Sequence, residues 1–97
     1  MATGVPGTPI KTLKKDPDAK LDYSMKWADF LGTDTLSAST WTVPPGITKT
    51  SDSFTDTIAT IWLEGGTVGK NYDIINSIVT AAGRKDDRTF RVTIKEK

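Results

Sequence analysis

GGTVGKNYDIINSIVTAAGRKDDRTFRVTI, residues 65–94, reads as a glycine turn followed by a β-hairpin, and the rest of the chain is organised around it. Successive side chains of a strand point to opposite faces. Tyr72, Ile74, Asn76, Ile78 and Thr80 therefore share one face, and Asp73, Ile75, Ser77, Val79 and Ala81 share the other. The first set is the better candidate for a core. Phe90, Val92 and Ile94 then alternate with Arg91, Thr93 and Lys95, an apolar-in, polar-out pattern that predicts a returning strand. Between the two lies AAGRKDD, where Gly83 can take a positive φ at little steric cost and a cluster of charges is expected to keep the tip in water.

Ahead of Tyr72, the glycines at 65, 66 and 69 let the backbone swing between strands. A tyrosine after such a turn suggests a tyrosine corner, its ring packed inward and its hydroxyl bonded back to the turn; the alternative is an ordinary half-buried strand tyrosine. A phosphate-binding reading of GGTVGKN fails. That motif needs four residues between its glycines, Ser or Thr after the lysine, and a helix, whereas here the spacing is one short, Asn71 follows Lys70, and a strand comes next.

The totals narrow the function classes. Ninety-seven residues make one domain, enough for a sandwich core but not for a core plus a deep catalytic cleft. Thirteen basic residues against twelve acidic ones point to neither nucleic acid nor an anionic membrane as a partner. With no cysteine and no histidine, the chain lacks disulfides, thiolate metal sites, the usual general base and the usual zinc ligand. No apolar run approaches the roughly 20 residues of a membrane span, and no signal-peptide pattern opens the chain. No cofactor is expected.

In chain order, residues 1–18 read as an extended N-terminal arm punctuated by Gly4, Pro6, Gly7, Pro9 and Pro17, and residues 19–97 as the folded domain. The arm is either a tail or a segment that orders on a neighbouring subunit, with Val5, Ile10 and Leu13 as its anchors. Leu21, Tyr23, Met25 and Trp27 alternate with Lys20, Asp22, Ser24 and Lys26, predicting a half-buried strand, and Phe30 and Leu31 then lead into a Gly32-Thr33-Asp34 turn. From Thr35 to Val43 the apolar phase slips: Leu36 and Ala38 fit one register, Trp41 and Val43 the other, which predicts a β-bulge near Ser39 or Thr40. Pro44-Pro45-Gly46 ends that strand, and Ile47 to Asp56 is a loop or a weak edge strand. Asp34, Asp52, Asp56 and Glu64 lack the dense spacing of a calcium loop.

Thr57 to Glu64 is apolar on both sides, as expected of a central strand with both faces covered; Trp27 and Trp62 are accordingly expected in the core, as structural residues together with Tyr72. A sugar-binding platform built on tryptophan would then have to use Trp41, which sits at the phase break. Five clear strands and one or two weaker ones, at roughly 10-residue spacing, predict an all-β, antiparallel immunoglobulin-like β-sandwich of about seven strands with an extended N-terminal arm. No nucleophile is placed beside an oriented base, so no enzyme is expected and no catalytic or metal-binding residue is assigned.

Three stretches taken in order, DPDAKLDYSMKWADFL, DTLSASTWTVPPGI and ATIWLEGGTVGKNYDIINSIVTAAGRKDDRTFRVTI, resemble a family of small tailed-bacteriophage proteins with an immunoglobulin-like fold, the fibre-tail adaptor proteins. The resemblance covers Asp16 to Ile94. It rests on the Asp-Pro-Asp before the first strand, the segment from Trp27 to Leu31, the segment from Trp41 to Gly46, and the Gly-Gly-Thr turn before Tyr72. It implies a virion structural protein without catalysis, assembled in the host cytoplasm and present in many copies. Such a protein joins the tail to fibres or accessory tail proteins by protein–protein contact, with neither nucleic acid nor membrane as partner. A capsid-decorating or host-attachment (glycan-binding) module of the same fold is the alternative, because fold alone does not choose between virion positions.

Overall fold

Alternation of apolar and polar residues builds two sheets here, and the computed structural model describes residues 11–95. β1 (Lys11–Lys15), β7 (Lys85–Ile94), β6 (Asn71–Thr80) and β3 (Leu36–Thr42) form one sheet in that order. β2 (Lys20–Lys26), β5 (Ile58–Gly65) and β4 (Ile47–Phe54) form the other. A single helical turn, α1 (Ala28–Leu31), follows β2 and buries Leu31 at the end of the sandwich.

The β6–β7 hairpin is the backbone of the larger sheet, paired from Asn71 opposite Thr93 to Val79 opposite Lys85. Its turn is tighter than the Ala81–Asp87 segment suggests: Thr80 N–H donates to Arg84 O at 2.8 Å, and Gly83 at φ +91° reverses the chain. Tyr72, Ile74, Asn76, Ile78 and Thr80 are buried on one face, opposite Phe90, Val92 and Ile94. In the facing sheet Ala59, Ile61 and Leu63 of β5 complete the layer with Trp27 and Ile47.

Several expectations are corrected. The arm does not extend to residue 18: Lys11–Lys15 is an edge strand, and it runs parallel to β7, with Leu13 beside Val92, so the sandwich is not wholly antiparallel. Leu13, expected as an anchor on a neighbour, packs half-buried against the domain's own core. Val5 and Ile10 lie outside the described residues. The slip in β3 falls at Ser37, between Leu36 and Ala38, not near Ser39 or Thr40. One extra residue there lets Leu36 and Trp41, five positions apart, both point inward, and Ser37 Oγ donates to Val79 O at 3.1 Å to hold the bulge.

The last correction concerns Trp62, expected in the core; Trp41, whose exposure the sequence left open, is inside. Trp41 is buried, 7% exposed, its ring edge-on to Phe90 with centroids 6.1 Å apart. Trp62 is 38% exposed. β5 is central, but among the described residues its sheet has three strands and nothing covers its outer face, so the phase carrying Ala59, Ile61 and Leu63 is inside and the phase carrying Trp62 is outside.

Candidate interaction surface

The outer face of the three-stranded sheet is where an apolar side chain meets solvent without a structural reason of its own. Trp62 projects from its middle strand; directly across from it stand Asp22 on β2 and Ser51 on β4. Two residues back along β5, Thr60 shares a hydrogen bond of 3.0 Å with Ser24. A flat ring edged by hydroxyls and one carboxylate is a surface that can stack on a partner and bond to it at the rim. Leu21, at the edge of the same sheet, is also exposed, as are Phe54 and Val68. Among the described residues no group of three or more His, Cys, Asp or Glu is placed to hold a metal ion. No helix among them is long and apolar enough to cross a membrane.

The other residues singled out in the sequence hold this surface in place. Trp27, fully buried at the end of β2, donates from Nε1 to Asn76 Oδ1 on the opposite sheet at 2.8 Å. Tyr72 accepts a hydrogen bond at Oη from Thr67 N–H, 3.0 Å away and five residues upstream, which is the geometry of a tyrosine corner. The bonding at Thr67 favours the phenolate and lowers the Tyr72 pKa from its ordinary value, with nearby Lys70 adding to the effect. Two glycines with positive φ flank the ring. A Cβ at Gly46 would lie 3.0 Å from Tyr72 Oη, and one at Gly66 would lie 2.6 Å from Ile94 Cδ1.

Sequence reasoning missed three cationic clasps. Lys15, at the end of β1, is buried and donates from Nζ to Gly65 O at 2.7 Å and Asp16 O at 2.9 Å, tying the edge of one sheet to the turn that leaves the other. Burial lowers its pKa, opposed by the charges of Asp16, Glu64 and Asp18. Arg84 leaves the hairpin tip to pair with Asp34 at 3.2 Å, to bond the carbonyls of Phe30 and Leu31, and to lie 4.6 Å from the Phe30 ring centroid. Arg88 sits 4.3 Å over the Trp27 ring, pairs with Asp29 at 3.2 Å, and donates to Lys26 O at 3.0 Å. The tip is exposed, as expected, but Arg84 within it and Arg88 beyond it also clasp the end of the sandwich. The only signal was that two charges of the run RKDDR are arginines, which fork, stack and reach further than a turn requires.

The family model described as "Podophage GP4 fiber-tail adaptor protein gp77" matches residues 15–93. The chain belongs to this family. The match begins at buried Lys15 and ends inside β7, so the gp77 fiber-tail adaptor signature coincides with the sandwich. No curated protein matches the chain. Among solved structures, the solution structure of the PKD domain from KIAA 1837 protein is similar, with a TM-score of 0.55 and 17% identity over 92% of this chain and 82% of that one. At that identity the likeness shows the fold alone: an immunoglobulin-like, PKD-type β-sandwich for this adaptor-family chain.

Proposed function

We propose that this chain is a non-enzymatic virion protein that joins a phage tail to its fibres or to accessory tail proteins, and that the outer face of the three-stranded sheet is a contact surface for that role. Membership of the fiber-tail adaptor family supports the class of function. The observation that carries the surface is Trp62: the middle strand of a sheet displays a large aromatic side chain to solvent, flanked by Asp22 and Ser51. Tryptophan is enriched among the few residues that dominate interface energy, and a polar rim excludes water around such an anchor. Residues 1–10 are proposed as a second contact, with Val5 and Ile10 as anchors on a neighbour in the particle.

A host-attachment reading uses the same ring. Ser51, Thr60 and Asp22 beside Trp62 are the hydrogen-bonding groups that sugar hydroxyls need next to a stacking platform. Complementation with Trp62→Ala separates the two. On the adaptor reading the variant assembles into particles depleted of fibre or accessory tail protein, as measured by mass spectrometry. Particles of normal composition that fail to adsorb to cells would instead support glycan binding. Normal composition with normal adsorption would remove Trp62 from function altogether.

A further inference from the structure

The four edges of this sandwich are unequally protected against the addition of another strand. β1 is five residues long, rich in lysine, and followed after Asp16 by Pro17. β3 is broken by the bulge at Ser37. β4 is broken between Lys49 and Ser51, and it sets Lys49 and Asp52 opposite Leu63 and Ile61, on the core-facing side, where the two charges pair at 3.0 Å. Short length, lysines, bulges and inward charges are the devices by which natural sheets blunt their edges.

β2 has no bulge and no inward charge, and its two lysines, Lys20 and Lys26, stand only at its ends. Lys20 to Lys26 pair with Glu64 to Ile58 in one unbroken register, with no glycine or proline in the strand. Trp27 N–H donates to Thr57 O at 2.9 Å, which sets the alternation of the ladder: odd-numbered residues bond to β5, and the backbone groups of Lys20, Asp22 and Ser24 point away from it. At the far end Lys26 O accepts from Arg88 and keeps a second lone pair.

We propose that a second copy of this chain pairs with β2 antiparallel across a two-fold axis, with Ser24 opposite its own counterpart. Charge selects both the occupant and the register. With Tyr23 at the axis, Lys20 would stand against Lys26 twice on one face; with Asp22 at the axis, two carboxylates would meet. With Ser24 at the axis, Asp22 stands against Lys26 on the outer face and Tyr23 against Met25 on the core-facing side, each pair occurring twice by symmetry. The complementarity lies within this strand, so no foreign sequence is needed to supply it. The two three-stranded sheets become one, with two Trp62 rings on its outer face. This pairing goes beyond the adaptor reading and does not rest on it.

The test uses the purified full-length chain alone, by sedimentation over a concentration series, so its failure cannot be confused with loss of a tail or fibre partner. Wild type is expected to dimerise. Asp22→Lys and Lys26→Asp should each weaken the dimer by about tenfold, and the double exchange should restore it. Ser24→Pro removes an outward N–H that β5 does not use, so the domain should stay folded by circular dichroism while becoming monomeric. A wild-type chain that is monomeric at millimolar concentration, single reversals that leave the dimer unchanged, or a dimer that survives Ser24→Pro would each overturn the proposal. A double exchange that stays monomeric while still folded would overturn the register.

Discussion

Trp27 and Asn76 join the two sheets through one buried hydrogen bond, Nε1 to Oδ1 at 2.8 Å, and Asn76 spends its amide on the bulged edge strand, donating to Ser39 Oγ at 2.9 Å and Thr40 O at 3.2 Å. Both residues are fully buried. The asparagine therefore fixes the end of β2 and the register of β3 at one point. A buried polar network is costly only when half satisfied, and here each bond made by one partner removes an orphan from another. Asn76→Ala should destabilise by about 3 kcal/mol, because it strands the indole N–H and opens a cavity. Trp27→Ala should cost about 3 to 5 kcal/mol. Denaturant midpoints check both; an Asn76→Ala midpoint equal to wild type would mean that the network does not support the fold.

The contrast between tryptophans is sharper still. Trp62→Ala should melt within a few degrees of wild type, since the ring lies on an open face and its loss leaves no cavity. A fall as large as that of Trp27→Ala would show that the outer face is covered in solution, and calorimetry of the two variants side by side would reveal it.

Which face of β5 is inside could not be read from its residues, because Ile58 and Trp62 on one side are as apolar as Ala59, Ile61 and Leu63 on the other. The choice is made by the far sheet, which offers Ile74, Ile78 and Val92 to one side only. The β6–β7 hairpin was legible because β7 alternates Phe90, Val92 and Ile94 with Arg91 and Thr93, and Tyr72, Ile74 and Ile78 of β6 supply a matching apolar phase. Lys15, Arg84 and Arg88 were not, since a long cationic side chain takes its role from carbonyls and carboxylates 50 or more residues away, such as Gly65 O for Lys15 and Asp34 for Arg84. The exposed Trp62 surface was hidden for the same reason as the face of β5.

Two tyrosines should respond to loss of the hydroxyl with opposite signs. Tyr72→Phe strands Thr67 N–H and should lower the denaturant midpoint while preserving the fold. Tyr23 Oη is buried without a partner among the described residues, and burial, with the charge of Asp22 beside it, raises its pKa. Tyr23→Phe should therefore leave stability unchanged or raise it by about 1 kcal/mol. Parallel titrations that lowered both midpoints equally would deny the difference.

Asp34 should contribute to acid unfolding. Hydrogen bonds from the Thr80 hydroxyl first, then from the Thr35 and Ala82 N–H groups and Arg84, hold its carboxyl below the ordinary value of 3.8, with partial desolvation opposing them. A carboxylate whose folded pKa is depressed lends stability that is fully present above the unfolded value and is lost as pH falls through the folded one. Asp34→Asn should thus melt below wild type at pH 7, and the gap should close as pH is lowered below about 4. Melting curves across that range test it; a gap that stays constant would assign the loss to geometry and not to charge.

Truncation should divide the first fifteen residues in two. Removing residues 1–10 leaves β1 intact, so the melting temperature should hold, while incorporation into particles should fall if Val5 and Ile10 anchor the chain on a neighbour. Removing residues 1–15 also strips β1 from β7, uncovers Val92 and Ile94 where Leu13 and Lys15 had lain beside them, and releases the bond from Lys15 Nζ to Gly65 O. The second truncation should therefore melt well below the first, and Lys15→Ala in the full chain should reproduce part of that loss, because Gly65 O is then left without its cation. Calorimetry of the three proteins, with particle composition measured by mass spectrometry in a complementation assay, separates folding from assembly. Equal melting of the two truncations would show that β1 adds nothing to the sandwich, and normal incorporation after removal of residues 1–10 would leave that segment without a role in assembly.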